Sequence, residues 1–207
     1  MTNPEKLLRA TEHLIIKEGA HAATLRRIAA TAKSNMSLIS YHFGGIEQLL
    51  AALMHKNIDR FLDYEAGLLD DLLKQGKPDL EALVKVFLLP LRLPAIYHSD
   101  ARCAEVLHAI YRHAKEPVRR EADEKLVQTV EPLLRELSLL LPELDRRTLL
   151  WRLNAISAAS MNLAPRAPSR DLLVVVSDKM ISRDEDDFDE MLRCGLSILT
   201  APGNLNG

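Results

Sequence analysis

Cysteine is scarce in this 207-residue chain: Cys103 and Cys194 stand far apart and form no CxxC pair. That spacing argues against a disulfide framework or a zinc cluster, and both thiols are expected in the core. No apolar run approaches the roughly 20 residues that span a bilayer; Val86–Leu91 stops far short. Met1–Arg9 alternates polar and apolar residues and lacks the apolar centre of a secretory leader. No membrane partner and a cytoplasmic location are therefore expected. Neither GxSxG, HExxH nor a phosphate loop occurs, so neither a catalytic motif nor a cofactor is implied, and no enzyme is expected. Cys103, His108, His113 and Asp100 make a poor metal set, because positions 103 and 108 do not share a helix face.

A strong excess of charge is also missing. The net charge is −2, with 47% apolar and 27% charged residues, a balance that argues for a packed chain rather than a disordered one. The distribution is less even. Residues 1–45 carry six Lys/Arg against three Asp/Glu, and the remainder carries 21 against 26. A basic end on an acidic body steers one face toward phosphates.

What is present reads almost entirely as helix. Leu7, Leu14 and Ile15 share a face, Thr2 with Glu5 forms a capping box, Pro4 suits a first turn, and Gly19 stops the helix. Thr24 caps a second helix with Leu25, Ile28, Ala29 and Ala32 at helical spacing. Lys33–Asn35 breaks the pattern. A short helix follows from Met36 to about His42, with Ile39 and Phe43 turned inward, and Gly44-Gly45 ends it. A fourth begins near Ile46, with Leu49, Leu50 and Leu53 in its stripe. The turn Gln75–Pro78 marks a boundary. Further helices are expected over about 79–93, 99–115, 117–140, 143–164 and 184–200, separated by proline and glycine. Ser182 with Glu185 is a second capping box. Val174–Val176 is the one strand-like run, too isolated for a sheet.

The block Thr24–Phe43, TLRRIAATAKSNMSLISYHF, is two short helices joined by a tight turn. Such a pair can place its second helix in a DNA major groove. Its outward positions are Arg26, Arg27, Asn35, Met36, Ser37, Leu38, Ser40, Tyr41 and His42. With its flanks, LLRATEHLIIKEGAHAATLRRIAATA and SYHFGGIEQLLAAL, the block resembles the TetR family of transcription regulators. The likeness rests on Gly19, on Thr24 with Ile28-Ala29, and on Tyr41-His42-Phe43 followed by glycine and Leu49-Leu50. It spans roughly the first 55 residues.

The resemblance implies an all-α fold. A three-helix DNA-binding domain with a helix-turn-helix is expected over 1–47, and a helical ligand-binding and dimerisation domain over 48–207. It implies a homodimer on a double-stranded operator, commonly released by a small-molecule effector. Thr24 would hold a phosphate and Arg26 would address guanine. Arg27 would meet phosphate or solvent, Met36, Ser37 and Leu38 base edges, and Ser40, Tyr41 and His42 phosphates. Three positions depart from the family pattern. Lys33 stands where glycine is usual, so it either bears the steric cost of positive φ or reshapes the turn. Ser34 replaces an apolar residue. Ile46 replaces a phosphate-gripping lysine, which leaves only backbone N–H groups of Ile46 or Glu47 for that contact.

For the C-terminal part, Leu149, Leu153, Ile156 and Ser160 form one stripe, and Leu192, Leu196 and Leu199 form another. Both are candidate dimer faces, with Ala155, Ser157, Ala158 and Ala159 small enough for close approach. Polar groups on apolar helices, namely Tyr97, His108, Tyr111, Trp151 and Asn154, are candidate pocket residues. A helical enzyme or a scaffold without DNA binding are the competing classes.

Overall fold

The computed structural model describes residues 2–99, 101–162 and 185–202. The Val174–Val176 run, Ser182 and Asp100 fall outside them. The regular structure described is helical: α1 (Asn3–Glu18), α2 (Leu25–Thr31), α3 (Met36–Phe43), α4 (Ile46–Lys74), α5 (Leu80–Leu88), α6 (Cys103–Tyr111), α7 (Glu116–Leu140), α8 (Arg146–Asn162) and α9 (Glu185–Thr200). Short 3-10 turns cover Ala20–Ala22 and Leu89–Arg92.

The early boundaries follow their local signals. The Thr2 N–H donates to Glu5 Oε2 at 2.9 Å and the Glu5 N–H to Thr2 Oγ1 at 3.5 Å, completing the capping box. Later boundaries differ from expectation. The helix expected over 79–93 ends at Leu88 and tightens to a 3-10 turn around Pro90, which has no N–H to continue an α ladder. The helix expected over 99–115 shrinks to Cys103–Tyr111. The chain before it folds back: the Cys103 N–H donates to Leu93 O at 2.7 Å and the Ala95 N–H to Ala101 O at 2.8 Å. α8 starts at Arg146 because Asp145 takes the Thr148 N–H at 2.8 Å.

The chain forms two compact units. The first comprises Met1–Leu68 and Leu89–Glu131, the second Leu69–Leu88 and Pro132–Gly207. The division expected at residue 47 falls within the first of these units, near the start of α4. In the first unit α1 packs on α2, α3 and α6. Leu7, Ile28, Ile39, Leu49 and Leu53 are fully buried, each side chain contributing about 1.5–3 kcal/mol of burial.

One buried position of α1 is an acid. Glu12 is fully buried. It accepts from the N–H groups of Ile96 at 3.2 Å and Tyr97 at 2.7 Å, and contacts His98 Nδ1 at 3.0 Å. Three polar partners make its burial tolerable. Cys103 is buried as expected, its Sγ 3.3 Å from both Asn57 O and Oδ1, and burial pushes its pKa up to about 12. Such a thiol is inert. Cys194 is exposed, contrary to expectation, because it lies on the open side of α9.

In the second unit α9 packs on α5 and α8. A Cβ at Gly195 would sit 3.3 Å from Val84 and 3.6 Å from Ile156, so this glycine lets α9 lie close to its neighbours. The small residues Ala158 and Ala159 are exposed instead. Arg152 is buried, its Nη1 donating to Leu199 O at 2.6 Å. It thereby satisfies a carbonyl at the end of α9.

Candidate nucleic-acid interface

The candidate interface is built around α3. Thr24 opens α2 from an extended backbone and its Oγ1 accepts the Arg27 N–H at 3.4 Å. α2 closes at Lys33, which adopts φ 50°. The Lys33 N–H reaches Ala30 O at 3.1 Å and the Ser34 N–H reaches Ala29 O at 2.9 Å, the Schellman pattern. The turn therefore keeps the left-handed conformation, and lysine bears its cost. Asn35 then caps α3 by accepting the Ser37 N–H at 3.1 Å. Gly44, at φ 84°, ends it by donating to Ser40 O at 2.9 Å.

Only Ile39 of α3 is fully buried, while Leu38 and Phe43 are half-buried. Ser37, Ser40 and His42 are exposed. Met36 is 48% exposed and Tyr41 80%. The Tyr41 and His42 rings meet edge-on at 4.9 Å. An eight-residue helix with caps at both ends and this much open apolar surface suits a groove rather than a core. Residues 7–53 match the model for bacterial regulatory proteins, tetR family. The chain carries the TetR-family DNA-binding domain. That match indicates a family of DNA-binding transcription regulators. No curated protein matches the chain.

Within the TetR-family domain the nominated residues separate into two groups. Thr24, Arg26, Met36, Ser37, Ser40, Tyr41 and His42 are exposed, and Arg26 has no ion-pair partner among the described residues. Asn35 is exposed but its side-chain oxygen is engaged as the cap. Arg27 is committed elsewhere: its guanidinium grips both oxygens of Glu18 at 2.5 and 2.8 Å. That pair holds the Glu18 carboxyl below its ordinary range and the Arg27 guanidinium above its own. Nothing in sequence announced a partner nine positions away on another element. At the start of α4, Ile46 is half-buried, and Glu47 pairs with Lys115 at 2.5 Å.

The C-terminal nominations fall differently. Leu149, Leu153, Ile156, Ser160, Leu192 and Leu199 are buried within the protomer and Leu196 is half-buried. These side chains already form the second unit's own core. The five pocket candidates are not brought together. Tyr97, His108 and Tyr111 belong to the first unit, whereas Trp151 and Asn154 belong to the second and are exposed. Tyr97 Oη takes the Lys56 ammonium at 3.2 Å, and Tyr111 Oη donates to Asp123 at 2.8 Å. Sequence reasoning overlooked Glu12, although an acid among Leu8, Thr11 and Ile15 on a buried face was a signal.

Proposed function

We propose that the chain is a cytoplasmic repressor that binds a palindromic operator as a homodimer and leaves it when a small-molecule ligand binds. In this reading residues 1–47 read DNA, and residues 48–207 dimerise and sense. The observation that carries it is α3, anchored by Ile39 and capped at both ends while Met36 and Tyr41 stand open. Arg26 addresses a guanine edge, Met36 and Ser37 meet bases, and Thr24, Ser40 and Tyr41 fix register on phosphates. Arg27 acts through Glu18 to brace α2. One such helix reads few base pairs, so a two-fold pair on successive major grooves supplies the needed specificity. Ligand release requires the effector to favour one spacing of the two heads.

The test is Arg26→Ala with Tyr41→Ala, titrated against DNA from the promoter region of its own gene. Affinity is expected to fall by about 100-fold, with circular dichroism and sedimentation unchanged. Undiminished binding would remove α3 from the interface. Ile46→Lys sharpens the same reading by restoring a cation at the head of α4. The log–log salt dependence of binding should steepen by about one.

A further inference from the structure

The first unit holds an open groove of about 420 Å³ between α1, the end of α2 and the loop before α6. Lys6, Arg9 and His13 of α1 line it, together with Lys33 at the end of α2 and His98 of the loop before α6. Positions 6, 9 and 13 fall on one face of α1. Lys6, Arg9 and Lys33 are exposed and have no ion-pair partner among the described residues. No described acid lines the groove. The nearby Glu12 is buried and occupied by two backbone N–H groups and His98.

A second groove in the same unit shows what this one lacks. It measures about 480 Å³ and its cations are Lys56 and Arg60. Both have donors held by neutral protein groups: Lys56 donates to Tyr97 Oη at 3.2 Å and Arg60 to Pro94 O at 2.8 Å. Lys6, Arg9 and Lys33 of the first groove have no such partner among the described residues. A concavity walled by charge of one sign concentrates counter-ions. Three uncompensated cations exceed what one carboxylate balances and suit a group carrying nearly two charges. No described residue of α3 lines the groove, which separates it from the DNA-reading surface.

We propose that this groove binds the phosphoryl group of a small molecule. Arg9 supplies paired donors, and Lys6 and Lys33 supply point charges. His98 contributes through Nε2, because its Nδ1 is engaged by Glu12. A ligand there ties α1 to the turn that supports α3. Any effect on operator binding rests on the regulatory reading above, whereas the binding itself does not.

Inorganic phosphate is the probe. The 207-residue chain is titrated at constant ionic strength against chloride, reading the melting temperature and the amide shifts of Ala10, Thr31 and His98. A saturable rise in melting temperature, with shifts confined to the groove, is expected. In Lys6→Gln/Arg9→Gln, and separately in Lys33→Gln, phosphate affinity should drop by about tenfold or more. A response that fails to saturate, or one equal in the variants, overturns the proposal. So does a variant that loses only the salt dependence of DNA binding while phosphate has no saturable effect, since the groove then serves the duplex backbone. Wild-type protein that ignores DNA yet answers to phosphate upholds the groove and removes only the regulatory role.

Discussion

Helix α3 is fixed by one buried side chain and two caps, whereas α8 is fixed along a whole stripe. In α3 the apolar residues Met36 and Tyr41 face outward and Ile39 alone is fully buried. In α8, Leu149, Arg152, Leu153, Ile156 and Ser160 are all buried. A helix meant to touch something outside must draw its rigidity from its ends. One that holds a unit together draws it from its face. Exposed apolar surface thus carries opposite meanings in the two. On α3 it belongs to a capped helix at the centre of a family-matched domain. On α8, Trp151 at 70% exposure simply stands opposite the packed stripe.

The comparison can be broken most forcefully at Leu153. Leu153→Ala should cost about 2–5 kcal/mol of unfolding free energy, read by urea titration. A loss below about 1 kcal/mol would mean the stripe is not what holds α8. Glu65 of α4 comes next. It is 2% exposed, its Oε1 has no hydrogen-bond partner among the described residues, and burial raises its pKa from 4.5 to about 7. A carboxyl whose folded value is raised favours the fold when protonated. That contribution is whole below pH 4.5 and disappears as pH climbs through 7. Stability should therefore decline by about 3 kcal/mol across that window from this group. Glu65→Gln should flatten the decline, and an unaltered pH profile would refute the assignment.

Smaller effects follow. Lys33→Gly relieves the positive φ but frees the unfolded chain. A net gain of about 0.5–1 kcal/mol is expected, and a loss would show that lysine makes a compensating contact. Trp151→Ala should move stability by less than about 0.5 kcal/mol. A loss comparable to that of Leu153→Ala would erase the distinction drawn between the two faces of α8.

Helices α1 to α3 were legible because their signals are local. Thr2 with Glu5, Gly19, Thr24, Asn35 and Gly44 each act within a few residues of the bond they make. The stripe of α8 was legible as a stripe, but periodicity states that a face is covered, not by what. The same chain's other helices cover it here, which is why the nominated dimer residues lie inside. Contacts across long separations left no such trace. Arg27 and Glu18 meet across two elements, and Glu12 reaches a loop 84 to 86 positions away. The shortened α6 also escaped notice, since bonds from Cys103 to Leu93 and from Ala95 to Ala101 outcompete one more helical turn.

The grip of Glu12 on Ile96 and Tyr97 makes those two amides gauges of α1. While the carboxylate stays seated, both protons are sheltered from solvent exchange. Any swing that draws α1 off the loop strands a buried anion and bares the two protons together. Their exchange rates, followed residue by residue, therefore time the detachment of α1 from that loop.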